Sequence, residues 1–133
     1  ADHGKGHFIR SILEGVAFSL KDCLELLRTA AGEPQAEALL LGGGARSGLW
    51  PRILSDVLGI PLRKLEAVDA SFGSALIGGV GVAMFPGPEE AAARCVRTAG
   101  EVRPDAKLAS FYAGRFSLYR KVHDALAGLY REW

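Results

Sequence analysis

Leu39-Leu40-Leu41-Gly42-Gly43-Gly44-Ala45-Arg46-Ser47 is the stretch that decides how this chain folds. The apolar run at residues 38–41 is too short for a helix and stops abruptly on three glycines. That pattern predicts a buried parallel strand meeting a tight turn. Residues 48–58 then read as a helix, with Pro51 in its first turn, where a missing amide hydrogen costs least, and Gly59 as its stop. Glycines let a backbone approach a ligand closely, and the helix start offers unpaired N–H groups and a positive dipole end. A strand, glycine turn and helix in this order can hold an anion at the carboxyl edge of a sheet. The same segment can also be a tight turn that binds nothing.

Two known phosphate loops fit imperfectly. Gly43 and Gly48 have the spacing of a P-loop, but Leu49 stands where the lysine belongs. A dinucleotide fingerprint comes closer: Gly42-x-Gly44-x-x-Ser47 carries serine for the third glycine, and Glu66 lies where a ribose-binding acid would end the next strand.

Outward from the turn, residues 7–28 predict an amphipathic helix with Phe8, Ile12, Val16, Leu20, Cys23, Leu24 and Leu27 on one stripe. Residues 61–66 predict a second strand. Residues 71–85 predict a helix weakened by Gly73, Gly78, Gly79 and Gly81, which suits close approach by another backbone or a ligand. A short helix at residues 89–97 follows the break at Pro86-Gly87-Pro88, residues 102–105 are irregular or a short strand, and a long helix spans residues 108–133. The aromatic face of that last helix (Tyr112, Phe116, Tyr119, Val122, Leu126, Tyr130 and Trp133) reads as core, and in a fragment part of it could be an orphaned interface. The pattern is α/β with a small parallel sheet of at least two strands. Two strands are too few to stand alone, so other strands or the helices must carry the packing, and an unfinished edge allows homo-oligomer formation.

Composition narrows the function. The chain has 133 residues, enough for one domain, and 49% of them are hydrophobic against 23% charged. A net charge of +1 makes no electrostatic case for nucleic acid or an anionic membrane as partner. No apolar run reaches the length of a bilayer span. Cys23 and Cys95 form no disulfide framework and read as reduced core residues of a cytoplasmic protein. His3 and His7 have metal-ligand spacing, but Gly4 and Gly6 argue against a helix there and no third ligand is evident. The sole methionine is Met84, so the chain can be a piece of something longer.

Taken together, the segments resemble a family. Gly42-Gly43-Gly44-Ala45-Arg46-Ser47-Gly48-Leu49-Trp50-Pro51 and the residues on to Pro61 look like the adenosine motif of the FGGY carbohydrate kinases. His7-Phe8-Ile9-Arg10-Ser11-Ile12-Leu13-Glu14-Gly15 resembles their second signature, and Gly73-Ser74-Ala75-Leu76-Ile77-Gly78-Gly79 their glycine-rich adenine-side helix. The aromatic helix near the end matches as well. The likeness covers nearly the whole chain, residues 1–133, as one C-terminal nucleotide-binding domain fragment. Ala45 and Asp56 lie eleven positions apart with Leu49-Trp50 between, which is similar to the xylulokinase branch.

The resemblance implies an actin-like ATPase fold, ribonuclease H-like, and ATP or ADP as the ligand. Gly43 and Gly44 would approach the phosphates and ribose, with Gly42 also counted among the nucleotide-binding residues. Ala45, Arg46, Ser47 and Trp50 would line the nucleoside pocket, with Gly73, Ser74 and Ile77 flanking it. It places the sugar site and the aspartate acting as general base in an N-terminal domain, and the loops that hold the phosphates and Mg2+ also outside this stretch. No position here matches that aspartate, and neither Asp56 nor Asp69 is assigned to catalysis. Arg52 and Ser74 depart from the glutamine and alanine common in the family. The expected function is the nucleotide-binding part of a sugar kinase, with D-xylulose as the sugar, inactive alone. The alternatives are a non-catalytic nucleotide-binding or assembly module, and a dinucleotide-binding oxidoreductase fragment.

Overall fold

The computed structural model describes residues 2–32, 34–66 and 70–132. Among the described residues five helices and three strands follow in the order α1 (Lys5–Ala31), β1 (Ala38–Leu40), a 3-10 turn (Gly43–Arg46), α2 (Trp50–Leu58), β2 (Leu62–Leu65), α3 (Ala70–Gly81), α4 (Pro88–Cys95), β3 (Thr98–Val102) and α5 (Ala106–Leu126). A short 3-10 turn (Leu129–Arg131) follows α5.

The sheet has the order β1-β2-β3. β1 and β2 are parallel, with Leu39 opposite Arg63. β3 pairs antiparallel to β2, with Val102 opposite Leu62, so the sheet is mixed rather than all parallel. Thr98-Ala99-Gly100-Glu101-Val102 has no apolar alternation, and only its pairing with β2 makes it a strand. This is why the sequence places a strand too late there.

Helix α2 is the centre of the fold. It packs against α1 and α5 and touches β3. Pro51, Ile53, Leu54, Ser55, Asp56, Val57 and Leu58 are all buried along it. Two of these are polar and both are satisfied. The Ser55 hydroxyl lies 2.9 Å from the Ile60 carbonyl and 3.2 Å from that of Val102. The Asp56 carboxylate accepts a 2.8 Å hydrogen bond from the N–H of Asp105, whose own side chain caps α5 through Lys107 and Leu108. Asp56 is therefore a structural bracket between α2 and α5. Its replacement by alanine leaves an N–H without its acceptor and is expected to cost about 1–3 kcal/mol, measured by urea unfolding. Asp69 lies outside the described residues.

Apart from Leu24, the stripe that predicts α1 is not the face this chain buries. Ala17 and Phe18 are buried, with Leu13 and Leu24 packed beside them, while Phe8, Ile12, Val16, Leu20 and Leu27 are exposed. The helix is apolar on two sides, and periodicity alone cannot say which one has a partner. Cys23 falls on the open side and is exposed rather than core; Cys95 is half-buried, and both thiols are free. The start of α1 also differs from expectation: Gly4 is its N-cap, so Gly6 and His7 are helical. The His3 and His7 rings lie 5.1 Å apart, and among the described residues no three His, Cys, Asp or Glu side chains gather as a metal site.

The last helix divides in the same way. Tyr112 and Phe116 are buried and Tyr119 packs beside them, but Val122 and Tyr130 are exposed. Trp133 lies outside the described residues. The Tyr112 hydroxyl donates to Glu14 at 2.7 Å and accepts from Arg10 at 3.0 Å, while Arg10 and Glu14 pair at 2.8 Å. This cluster ties α1 to α5. Burial, with the Glu14 hydrogen bond next, holds the Tyr112 hydroxyl above its ordinary pKa.

Candidate functional site

The glycine turn takes its shape from Gly42. Its φ of 85° and ψ of −175° belong to a region that only glycine enters without strain. The turn then closes with Ala45 N–H donating to Gly42 and Ser47 N–H to Gly44, both at 3.1 Å. Among the described residues this leaves the N–H groups of Gly43 and Gly44 without a hydrogen-bond partner. Unpaired amides beside a cleft are anion donors.

A cleft of about 800 Å³ opens at this turn, within the range of small-molecule sites. The turn supplies Gly42, Gly43, Ala45 and Arg46 to its wall. The ends of β1 and β2 add Leu41, Lys64, Leu65 and Glu66; the start of α3 adds Ser71, Phe72 and Ala75; β3 adds Ala99. The cleft thus lies at the carboxyl ends of the two parallel strands, where open α/β sheets bind ligands.

The remaining expected residues sit close by, in other roles. A Cβ on Gly44 would stand 2.9 Å from the Trp50 ring, so this glycine lets the indole pack over the turn. The Ser47 hydroxyl accepts from the N–H groups of Leu49 and Trp50 at 3.2 and 3.1 Å, which satisfies two donors at the start of α2. Gly73, Ser74 and Ile77 are on α3, but the helix reaches the cleft through Ser71, Phe72 and Ala75 instead. Ile77 is exposed. Among the four glycines of residues 73–81, only Gly79 is approached closely, by the Phe85 ring at 2.9 Å, after α3 has ended at Gly81.

Lys64, Phe72 and Ala99 carry no motif that marks them in the sequence. They join the site only because β2, α3 and β3 converge there. Lys64 and Arg46 bring two positive charges to the wall and Glu66 one negative charge. None of the three forms an ion pair among the described residues.

Comparison with known proteins places this arrangement. Residues 1–82 match the model of the FGGY family of carbohydrate kinases, C-terminal domain. The chain is 32% identical to the xylulose kinase of Bacillus subtilis (strain 168) over 122 residues, covering 91% of this chain and 24% of that protein. It is 41% identical to the L-fuculokinase of Escherichia coli O157:H7 over 91 residues, covering 68% of this chain and 19% of that one. The crystal structure of xylulose kinase from Rhodospirillum rubrum superposes with a TM-score of 0.77 at 27% identity, over 98% of this chain and 26% of the other. The match thus spans about a fifth to a quarter of the length of these relatives. The chain shares the actin-like ATPase fold of these neighbours, and it belongs to the FGGY family of carbohydrate kinases.

Proposed function

We propose that this chain is the nucleotide-binding portion of a cytoplasmic, ATP-dependent carbohydrate kinase, and that it does not complete phosphoryl transfer alone. One observation carries the reading. The unpaired amide of Gly43, with that of Gly44 next to it in the turn, and the charges of Arg46 and Lys64 gather at a cleft on the carboxyl edge of parallel strands. A nucleotide's phosphates fit that chemistry, and Phe72 and Ala75 give the same wall apolar surface for the rest of the ligand.

Phosphoryl transfer needs a positioned donor, neutralised charge and an oriented acceptor hydroxyl. In this reading the turn holds the donor, while the sugar pocket, the general-base aspartate and the Mg2+ ligands belong to chain beyond these residues. Magnesium would supply charge neutralisation on the phosphates when bound. The exposed apolar side of α1 and the free edge of β1 support the incompleteness, since both leave surfaces that a larger fold buries. The proposed sugar is D-xylulose, because the match to the Bacillus xylulose kinase runs along 91% of this chain and that to the fuculokinase along 68%.

Calorimetric titration with ADP and with NAD tests the reading. Binding of ADP with no tighter binding of NAD is the expected result. NAD bound without ADP would turn the assignment to the dinucleotide alternative, for which Glu66 in the cleft wall is the supporting observation. Turnover of ATP and D-xylulose by this chain alone would refute its incompleteness.

A further inference from the structure

Glu66 sits where the strand β2 ends, and its N–H donates to the Arg97 carbonyl at 3.0 Å, which anchors its backbone beside β3. Its side chain is exposed in the cleft wall together with Gly43, Arg46 and Lys64. Among the described residues that carboxylate makes no hydrogen bond or ion pair. A carboxylate beside a phosphate site has to face something other than phosphate, because like charges repel at short range. An ionised carboxylate only accepts hydrogen bonds. Its two oxygens suit two neighbouring hydroxyl donors, and a nucleotide offers such a pair in its ribose. The position is comparable to that of the acid in dinucleotide-binding α/β folds, which follows the glycine turn by about 20 residues and takes a ribose hydroxyl.

We propose that Glu66 is a specificity-determining residue of the cleft, accepting hydrogen bonds from the ribose 2′- and 3′-hydroxyls so that ribonucleotides are selected over their deoxy counterparts. The proposal rests on the nucleotide reading above. The chemistry divides the cleft in two: amides with Arg46 and Lys64 for the anionic tail, and Glu66 for the sugar of the nucleoside.

The test is calorimetry with ADP and 2′,3′-dideoxy-ADP on the chain and on its Glu66→Ala variant. The unsubstituted chain is expected to bind ADP about tenfold tighter than the dideoxy analogue, the size of effect that hydrogen bonds to a charged group support. In Glu66→Ala the affinity for ADP should fall to that of the analogue, and the affinity for the analogue should stay within about twofold. Glu66 is exposed, so thermal unfolding of the variant should match that of the unsubstituted chain, which separates lost recognition from lost structure. An ADP preference that survives in Glu66→Ala overturns the ribose assignment and leaves the nucleotide site standing. Failure of both nucleotides to bind the unsubstituted chain removes the site itself, and the assignment with it.

Discussion

Gly43→Val is expected to lower ADP affinity by more than tenfold while changing stability by no more than about 0.5 kcal/mol. The two halves of that expectation come from the same geometry. Gly43 lines the cleft, and a Cβ built on it meets nothing within 4 Å. Its backbone is not in the left-handed region, so a larger residue brings no conformational strain. The valine side chain therefore enters space that the fold leaves open and that the proposed ligand uses. Calorimetry with ADP and thermal unfolding read the two quantities separately. Gly42 is a poorer probe, because its φ of 85° with extended ψ would strain any other residue by about 1–3 kcal/mol and confound fold with binding.

The largest effect on stability belongs to Ile53. It is 1% exposed on α2, in the core cluster that joins α1, α2, β2 and α5. Truncation to alanine removes buried methylene groups and leaves a cavity, a loss of about 2–5 kcal/mol. Domains of this size are stable by about 5–15 kcal/mol in total, so Ile53→Ala is expected to unfold far earlier in urea at an unchanged m-value. An unchanged midpoint would mean that α2 is not the centre of the packing. Asp56→Ala should sit between this variant and the unsubstituted chain, since it removes an acceptor rather than volume.

The segment around the turn was legible because its signals are local. Gly42 needs a backbone that only glycine supplies, Pro51 tolerates the first turn of α2, and Gly59 ends it with φ of 73°. No distant residue has to be known to place them. The third strand was not legible, because Thr98–Val102 becomes a strand through its partner β2 and through no pattern of its own. Helix α1 was legible as a helix but not as a packed element: Ala17 and Phe18 face the core that α2 and α5 provide, while the more obvious stripe of Phe8, Ile12 and Val16 stays open. A sequence marks apolar faces without naming their partners.

The candidate site shows the same division. Gly42, Gly43, Ala45 and Arg46 follow from the turn itself and line the cleft. Ser47 and Trp50 also follow from the turn, but their side chains serve the start of α2 and the packing over Gly44. Lys64, Phe72 and Ala99 reach the cleft from three other elements, and only the assembled fold brings them to one wall. Glu66 stood out in the sequence as the acid of a rival nucleotide motif, and the fold sets it in the same cleft as the glycine turn.

The central claim is that main-chain nitrogens of the glycine turn receive a nucleotide's anionic tail, and amide-resolved NMR during an ADP titration tests it most directly. The account predicts saturable shifts that are largest at Gly43 and Gly44, whose N–H groups are unpaired without ligand. Saturable shifts centred elsewhere, with residues 42–46 unmoved, would contradict it.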